Sequence, residues 1–226
     1  MDRLSISIER GRITSIIGPN GSGKSTLVNT LTGMLPIDGG AVIIRGTTKL
    51  EKIKPFDISA YGITRTFQDV RLFEQMPVLD NILVVLTERG VFNSLFERHS
   101  EFHLKQAEEV LKIVSLWGKR HELAENLSYG QRKLLEIGRA MAMNAEIYLF
   151  DEPFAGLFPE MVKIVSSVLR GLRSKGSAVV LIEHNMDLIR ELSDYIFVLD
   201  AGRLLAEGKP QEVLSDKKVI EAYLGD

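Results

Sequence analysis

The stretch Gly18-Pro19-Asn20-Gly21-Ser22-Gly23-Lys24-Ser25 constrains the fold more than any other part of the chain. It fits GxxxxGK[ST] in full. It follows the apolar run Ile13 to Ile17, which reads as a strand. It opens a segment of helical character, Lys24 to Met34, with apolar Leu27, Val28 and Leu31. In a strand–loop–helix of this kind the glycines let the backbone wrap closely around an anion. The amide N–H groups then point inward, and the helix N-terminus adds a favourable dipole. Lys24 is expected to reach the β- and γ-phosphates of a nucleotide, Ser25 to ligate Mg²⁺, and Thr26 to bond the α-phosphate. The loop alone does not name the reaction, since kinases, GTPases and motor ATPases share it.

A second feature stands far downstream. Ile147-Tyr148-Leu149-Phe150 is an apolar strand that ends in two acids, Asp151 and Glu152. A carboxylate at the carboxyl end of such a strand, beside the phosphate loop, can hold Mg²⁺ directly or through water. The acid after it is the natural general base, or orienting group, for a water attacking the γ-phosphate in line.

The rest of the chain fits one α/β domain with a helical insert. Leu4, Ile6 and Ile8 alternate with Ser5 and Ser7 and predict a half-buried strand. Further strands are expected at Ala41 to Arg45, Ile63 to Phe67, Ser177 to Ile182, Tyr195 to Leu199 and Arg203 to Ala206. Between Pro77 and Met143 the pattern turns helical, with three-and-four spacing over Glu101 to Trp117 and Gln131 to Met143. The expected layout is a nucleotide-binding α/β core from residues 1–68 and 145–226, with a helical subdomain at 69–144 inserted between its halves.

Bulk properties narrow the partners. The 226 residues carry a formal net charge of −2 and no basic run, so a nucleic-acid partner needing many phosphate contacts is not favoured. Cysteine is absent, which removes disulfides and thiolate metal sites. Apolar runs such as Ile82 to Leu86 and Ala178 to Ile182 fall far short of the roughly 18 residues that span a bilayer. The start, MDRLSISIERGR, is charged where a signal peptide would need an apolar core. A membrane role would therefore come through a partner.

Leu127-Ser128-Tyr129-Gly130-Gln131 leads into a predicted helix, with Ser128 as its N-cap. With the phosphate loop and the acid pair, this segment resembles the ABC ATPase family, whose hallmark is LSGGQ in this place and order. The resemblance implies a P-loop NTPase core with an inserted helical subdomain, ATP and Mg²⁺ as ligands, and ATP hydrolysis. It also implies two subunits packed head to tail, each ATP lying between one subunit's phosphate loop and the other's LSGGQ segment. On that basis Ser128, Gly130 and Gln131 would contact nucleotide across the dimer. Gln68 matches the family's glutamine loop, meeting Mg²⁺ or the attacking water, and His184 its γ-phosphate-sensing histidine.

The chain departs from the family pattern in three places. Tyr129 stands where Gly is usual, a change familiar in the branched-chain amino acid branch. Phe158 stands where an Asp usually ends the segment after the catalytic acid. Before Asp2-Arg3-Leu4, nothing fills the place of the usual first strand and its adenine-stacking aromatic residue, which implies weaker nucleotide affinity.

Four stretches resemble the branched-chain, or hydrophobic, amino acid importers: Tyr61 to Gln68, Val70 to Phe73, Leu127 to Gln131, and the tail Val219 to Gly225. The resemblance implies uptake energised together with transmembrane permease subunits, a second ATPase subunit, identical or homologous, and indirectly a solute-binding protein. The place implied is cytoplasmic, on the inner face of the membrane. Urea and amide importers are near relatives, and a soluble ABC ATPase is the alternative outside transport. Asp69 to Leu79, with Leu72, Phe73, Met76 and Val78, is the expected docking segment for the permease; packing inside the helical lobe is the other reading. His99 and His103 are four apart with no third ligand evident, and read as solvated.

Overall fold

A computed structural model describes residues 1–86 and 101–224. The chain forms two compact units. The first comprises Met1–Arg65, Ala145–Glu152 and the chain from Arg170 on; the second comprises Thr66–Asn144 and Pro153–Leu169.

The first unit is built on a six-stranded sheet. Its strands are β1 (Ile13–Ile17), β4 (Ile63–Arg65), β5 (Ile147–Asp151), β6 (Ala178–Ile182), β7 (Tyr195–Asp200) and β8 (Arg203–Gly208), in the order β4-β5-β6-β1-β7-β8. All neighbours run parallel except β7 and β8. A parallel sheet is covered on both faces, so its strands read as continuous apolar runs. Every residue of β1 and β6 is buried. Successive side chains of β1 point to opposite faces. Ile16 joins a cluster with Leu27 and Val28 of helix α1 (Lys24–Leu31), and Ile17 joins one with Ile189 of helix α6 (Met186–Leu192) and Val219 of helix α8 (Lys217–Leu224). The short helix α7 (Pro210–Val213) adds Val213 to the second cluster.

Strands β2 (Val42–Ile44) and β3 (Thr48–Leu50) form a separate antiparallel pair. The first of these falls inside the expected strand Ala41 to Arg45. The second carries no strand signal in the sequence, because Thr-Lys-Leu is short and mostly polar. Leu4 to Ile8 is a correction: among the described residues it forms no strand. The alternation itself holds, since Leu4, Ile6 and Ile8 pack against the cluster around Ile16 while Ser5 and Ser7 are exposed. Side-chain alternation reports which face is buried, whereas a strand also requires a neighbouring backbone to pair with.

The second unit contains α2 (Val78–Leu86), α3 (Glu101–Ile113), α4 (Tyr129–Ala142) and residues 159–169 of α5 (Pro159–Ser174). Ile82, Leu111, Val114, Leu135 and Ile137 are almost wholly buried. Gly138 allows the close approach of three helices: a Cβ there would lie 3.3 Å from Val110, 3.4 Å from Val114 and 3.5 Å from Ile82. His103 is half-buried with its ring 5.8 Å from that of Phe102, while His99 lies outside the described residues.

Candidate functional site

In the first unit the polar residues gather at the carboxyl ends of three neighbouring strands. The sheet order places β5, β6 and β1 side by side and parallel. The phosphate loop follows β1, Asp151 ends β5, and His184 is the second residue past β6. Carboxyl ends of parallel strands are where open α/β sheets place their ligands.

The loop from Gly18 to Gly23 is bent in a way that other residues would resist. Gly18, Gly21 and Gly23 have φ of 151°, 78° and 104°. A Cβ on Gly18 would fall 2.1 Å from the Leu199 carbonyl oxygen and 2.6 Å from Ser22 Oγ, so the position requires glycine. Two backbone hydrogen bonds fix the turn: Ser22 N–H donates to Pro19 O at 3.2 Å, and Gly202 N–H donates to Ser22 O at 2.9 Å. Asn20 and Gly21 at its crest are exposed. Gly23 caps α1, whose first turn holds no acidic residue, only Lys24, Ser25 and Thr26. Ser25 and Thr26 are exposed.

Lys24 is buried, and its Nζ donates to the carbonyl oxygens of Gly18 at 2.7 Å and Pro19 at 2.9 Å. Burial lowers its pKa, against the opposing pull of Glu152 and then Asp151. The lysine and both acids therefore share one electrostatic neighbourhood. Asp151 is buried, and its Oδ2 accepts from Arg65 Nη2 at 2.8 Å.

Glu152 has φ of 49°, a left-handed backbone that non-glycine residues adopt rarely and at a cost of about 1–3 kcal/mol. Its N–H donates to Ile182 O at 2.9 Å, which fixes the bend where the chain leaves β5. The bend brings Glu152 Oε1 to 3.1 Å from His184 Nε2. Both side chains are part-exposed, 22% and 44%, so water reaches the pair. The buried Glu183 carboxylate accepts from the N–H groups of His184 at 3.0 Å and Asn185 at 3.4 Å, steadying the turn that carries the histidine.

The other residues singled out in the sequence lie in the second unit. Ser128 and Gln131 form a capping box at α4. Ser128 Oγ accepts from Gln131 N–H at 3.4 Å, and Gln131 Oε1 accepts from Ser128 N–H at 3.1 Å. Gly130 is buried under the Met161 side chain, whose thioether a Cβ there would have to displace from 2.4 Å. Tyr129 is exposed and its ring covers Gly156, where a Cβ would come within 3.0 Å of it. Phe158 is 72% exposed.

Gln68 is exposed, and its carbonyl accepts from the buried Lys133 Nζ at 3.2 Å. In the segment that follows, Phe73 is 46% exposed while Val78 is fully buried. The segment is thus exposed at one end and packed into the helical unit at the other. Its shape depends on residues the sequence reading missed. Buried Asn81 accepts from Phe73 N–H at 3.0 Å and donates to the carbonyls of Phe73, Pro77 and Met76. Glu136 Oε1 accepts from the N–H groups of Phe67 at 3.3 Å and Arg71 at 3.4 Å; burial raises its pKa, and these two hydrogen bonds oppose the rise. Arg139 donates to Arg71 O at 2.6 Å and lies over the Phe73 ring at 5.0 Å.

Two family models match the chain: ABC transporter over residues 1–155, and branched-chain amino acid ATP-binding cassette transporter over residues 203–226. A Methanocaldococcus jannaschii protein named "Probable branched-chain amino acid transport ATP-binding protein LivG" is 38% identical over 236 residues, covering 100% of this chain and 91% of that protein. The fold is similar to the ADP conformation of an ATP-binding cassette of an ABC transporter, with TM-score 0.84 and 37% identity over 99% of this chain and 91% of that one. It is also similar to a dimeric cassette in a post-hydrolysis state bound to ADP and phosphate, with TM-score 0.78 and 28% identity over 91% of this chain and 88% of that one. This chain belongs to the ABC transporter family, as one of its ATP-hydrolysing cassettes.

Proposed function

We propose that this chain energises the uptake of branched-chain or other hydrophobic amino acids, hydrolysing ATP as one of a pair of cassettes beneath transmembrane permease subunits. One observation carries the reading of the chemistry. Lys24, Asp151 and the Glu152–His184 pair stand at the carboxyl ends of adjacent parallel strands. The cargo is supported by the tail, which matches the branched-chain model over residues 203–226, and by the name of the full-length relative. Pairing is supported by the likeness to a dimeric cassette.

In this reading the glycine-rich turn receives the triphosphate on its N–H groups. Lys24 leaves the loop carbonyls for the β- and γ-phosphates, a better acceptor for a buried ammonium than two neutral oxygens. Thr26 bonds the α-phosphate. The donor set of the first unit fits Mg²⁺, because the Ser25 hydroxyl and the Asp151 carboxylate are hard oxygen ligands. When bound, the ion neutralises charge on the phosphates. Glu152 orients a water in line with the γ-phosphate and takes its proton, while His184, which rests against the Glu152 carboxylate before ATP binds, turns its N–H towards the phosphoryl oxygens. Because the strained Glu152 backbone is pinned to β6, little reorganisation is needed at the moment of reaction.

Ser128, Gly130 and Gln131 open α4, whose N-terminus would meet the γ-phosphate held by the partner cassette. The partner is a second copy or a homologue. The exposed Phe73 and its neighbours form the docking segment for a permease helix. Among the described residues no helix is long and apolar enough to cross a membrane, so the link to the inner face runs through that partner.

The test is assembly. Glu152→Gln should bind ATP and accumulate an ATP-dependent dimer by analytical ultracentrifugation, with ADP giving monomer. Monomer alone in ATP, even with the cognate second subunit supplied, would overturn the paired-cassette reading.

A further inference from the structure

The hydrolysis scheme leaves one buried cation in the first unit without a role. Arg65 closes β4, and its side chain is 6% exposed. Its guanidinium donates through Nη2 to Asp151 Oδ2 at 2.8 Å, and through Nη1 to Asn29 Oδ1 at 2.6 Å and Thr32 Oγ1 at 3.2 Å. Asn29 and Thr32 stand at the end of α1, the helix that begins with Lys24 and Ser25. One planar fork therefore fastens three elements: β4, the carboxyl end of β5, and the far end of the phosphate-loop helix. Arginine suits this task because its donors lie in a fixed plane and its charge does not titrate away.

The pairing has an electrostatic consequence. Ionised groups in a protein interior persist when they are compensated, and an uncompensated one is costly. Here Arg65 pairs directly with Asp151, and Lys24 is drawn to Glu152 and Asp151. A divalent cation arriving alone meets a carboxylate already paired with Arg65, and sets two further positive charges beside that guanidinium. A cation arriving on a triphosphate brings compensating negative charge with it.

We propose that Arg65 is a positioning residue that makes divalent-cation binding at Asp151 conditional on nucleotide. It holds the carboxylate in place and screens its charge, so the metal enters only as the metal–nucleotide complex. The inference rests on the reading above that Asp151 is a metal residue. It assigns Arg65 a part that Gln68 and Ser25 do not take.

The experiment is a Mn²⁺ titration of the full chain, followed by electron paramagnetic resonance, without nucleotide and then with a non-hydrolysable ATP analogue. The natural protein should bind Mn²⁺ weakly without nucleotide. Arg65→Met should tighten that binding about tenfold or more, because a full charge is removed at contact distance from the carboxylate. Arg65→Lys should restore weak binding. Asn29→Asp offers a second route that keeps the arginine and its packing, since a carboxylate beside Nη1 would neutralise the guanidinium; Mn²⁺ binding should tighten again. In either background Asp151→Asn should abolish the gain. Equal nucleotide-free Mn²⁺ affinity in the natural protein, Arg65→Met and Asn29→Asp would overturn the proposal. The Asp151 reading has its own arm: Asp151→Asn alone should weaken Mn²⁺ capture in the presence of the analogue. No weakening there would overturn the metal reading and the Arg65 proposal together. Weakening there, with Arg65→Met and Asn29→Asp unchanged, would overturn the Arg65 proposal alone.

Discussion

In the first unit Asp151, Glu152 and His184 stand on or just past parallel strand ends, where the backbone ladder of the sheet sets their places. In the second unit the segment from Thr66 to Pro77 forms no strand or helix beyond an isolated bridge of Pro77 with Leu123; besides backbone bonds from Ala124 and Glu125, the side chains of Asn81, Lys133, Glu136 and Arg139 hold its backbone. A ladder is shared among many residues, so no single side chain decides where a strand end lies. A segment fastened by four side chains is sensitive to each of them. The first arrangement suits chemistry, which needs fixed geometry. The second suits a surface that yields when a partner docks.

Substitutions in the two units should separate rate from stability. Lys24→Met should lower ATP turnover by about a thousandfold, as expected for losing a principal charge donor to the transferred phosphoryl group. Its thermal midpoint should change little, because relief of the buried ammonium's desolvation offsets the loss of its hydrogen bonds to Gly18 and Pro19 and of its attraction to Glu152 and Asp151. Phosphate release and differential scanning fluorimetry check the two halves. A large loss of stability would mean that this lysine is structural.

Asn81→Ala should do the reverse. It strips one acceptor and three donor contacts from a wholly buried residue, so destabilisation of about 2–3 kcal/mol is expected in urea unfolding. Amides of residues 73–77 should lose protection from hydrogen exchange, while turnover per folded molecule stays within about twofold. Phe73→Asp sharpens the same contrast on the surface. Reconstituted transport should fall about tenfold or more while nucleotide binding is kept. An unchanged transport rate would remove the docking role.

The smallest effect concerns pH. Burial raises the Glu136 pKa in the folded chain above its unfolded value. Such a group contributes stability that is full below the unfolded carboxylate pKa and is lost as pH rises through the folded one. The natural protein should therefore lose stability across that window, by at most about 1.4 kcal/mol per pH unit for one proton. Glu136→Gln should flatten the profile in that window, as urea unfolding at a series of pH values would show.

Legibility in the sequence followed the same division. Motifs with local spacing, such as Gly18 to Ser25 and Leu127 to Gln131, could be read directly because their geometry is contained within a few consecutive residues. Strands buried on both faces, such as Ala178–Ile182, announced themselves by unbroken apolar runs. Arg65, Asn81 and Glu136 gave no such signal. Each is a polar residue whose burial depends on distant chain: Arg65 reaches 86 positions to Asp151, and Glu136 reaches 69 back to Phe67. Arg65 lay in plain view inside Tyr61 to Gln68, yet only the pairing of β4 with β5 gives it a partner. Leu4 to Ile8 shows the converse limit, as its pattern correctly names the buried side chains but says nothing of a backbone partner.

The central claim is that the strand ends of the first unit hydrolyse ATP through Glu152. Its most direct test is a single-turnover measurement on Glu152→Gln with γ-labelled ATP, alongside equilibrium ATP binding. The account predicts binding within about twofold of the natural protein and phosphate release slowed by about a hundredfold or more. Phosphate release at the natural rate, with ATP bound normally, would contradict it.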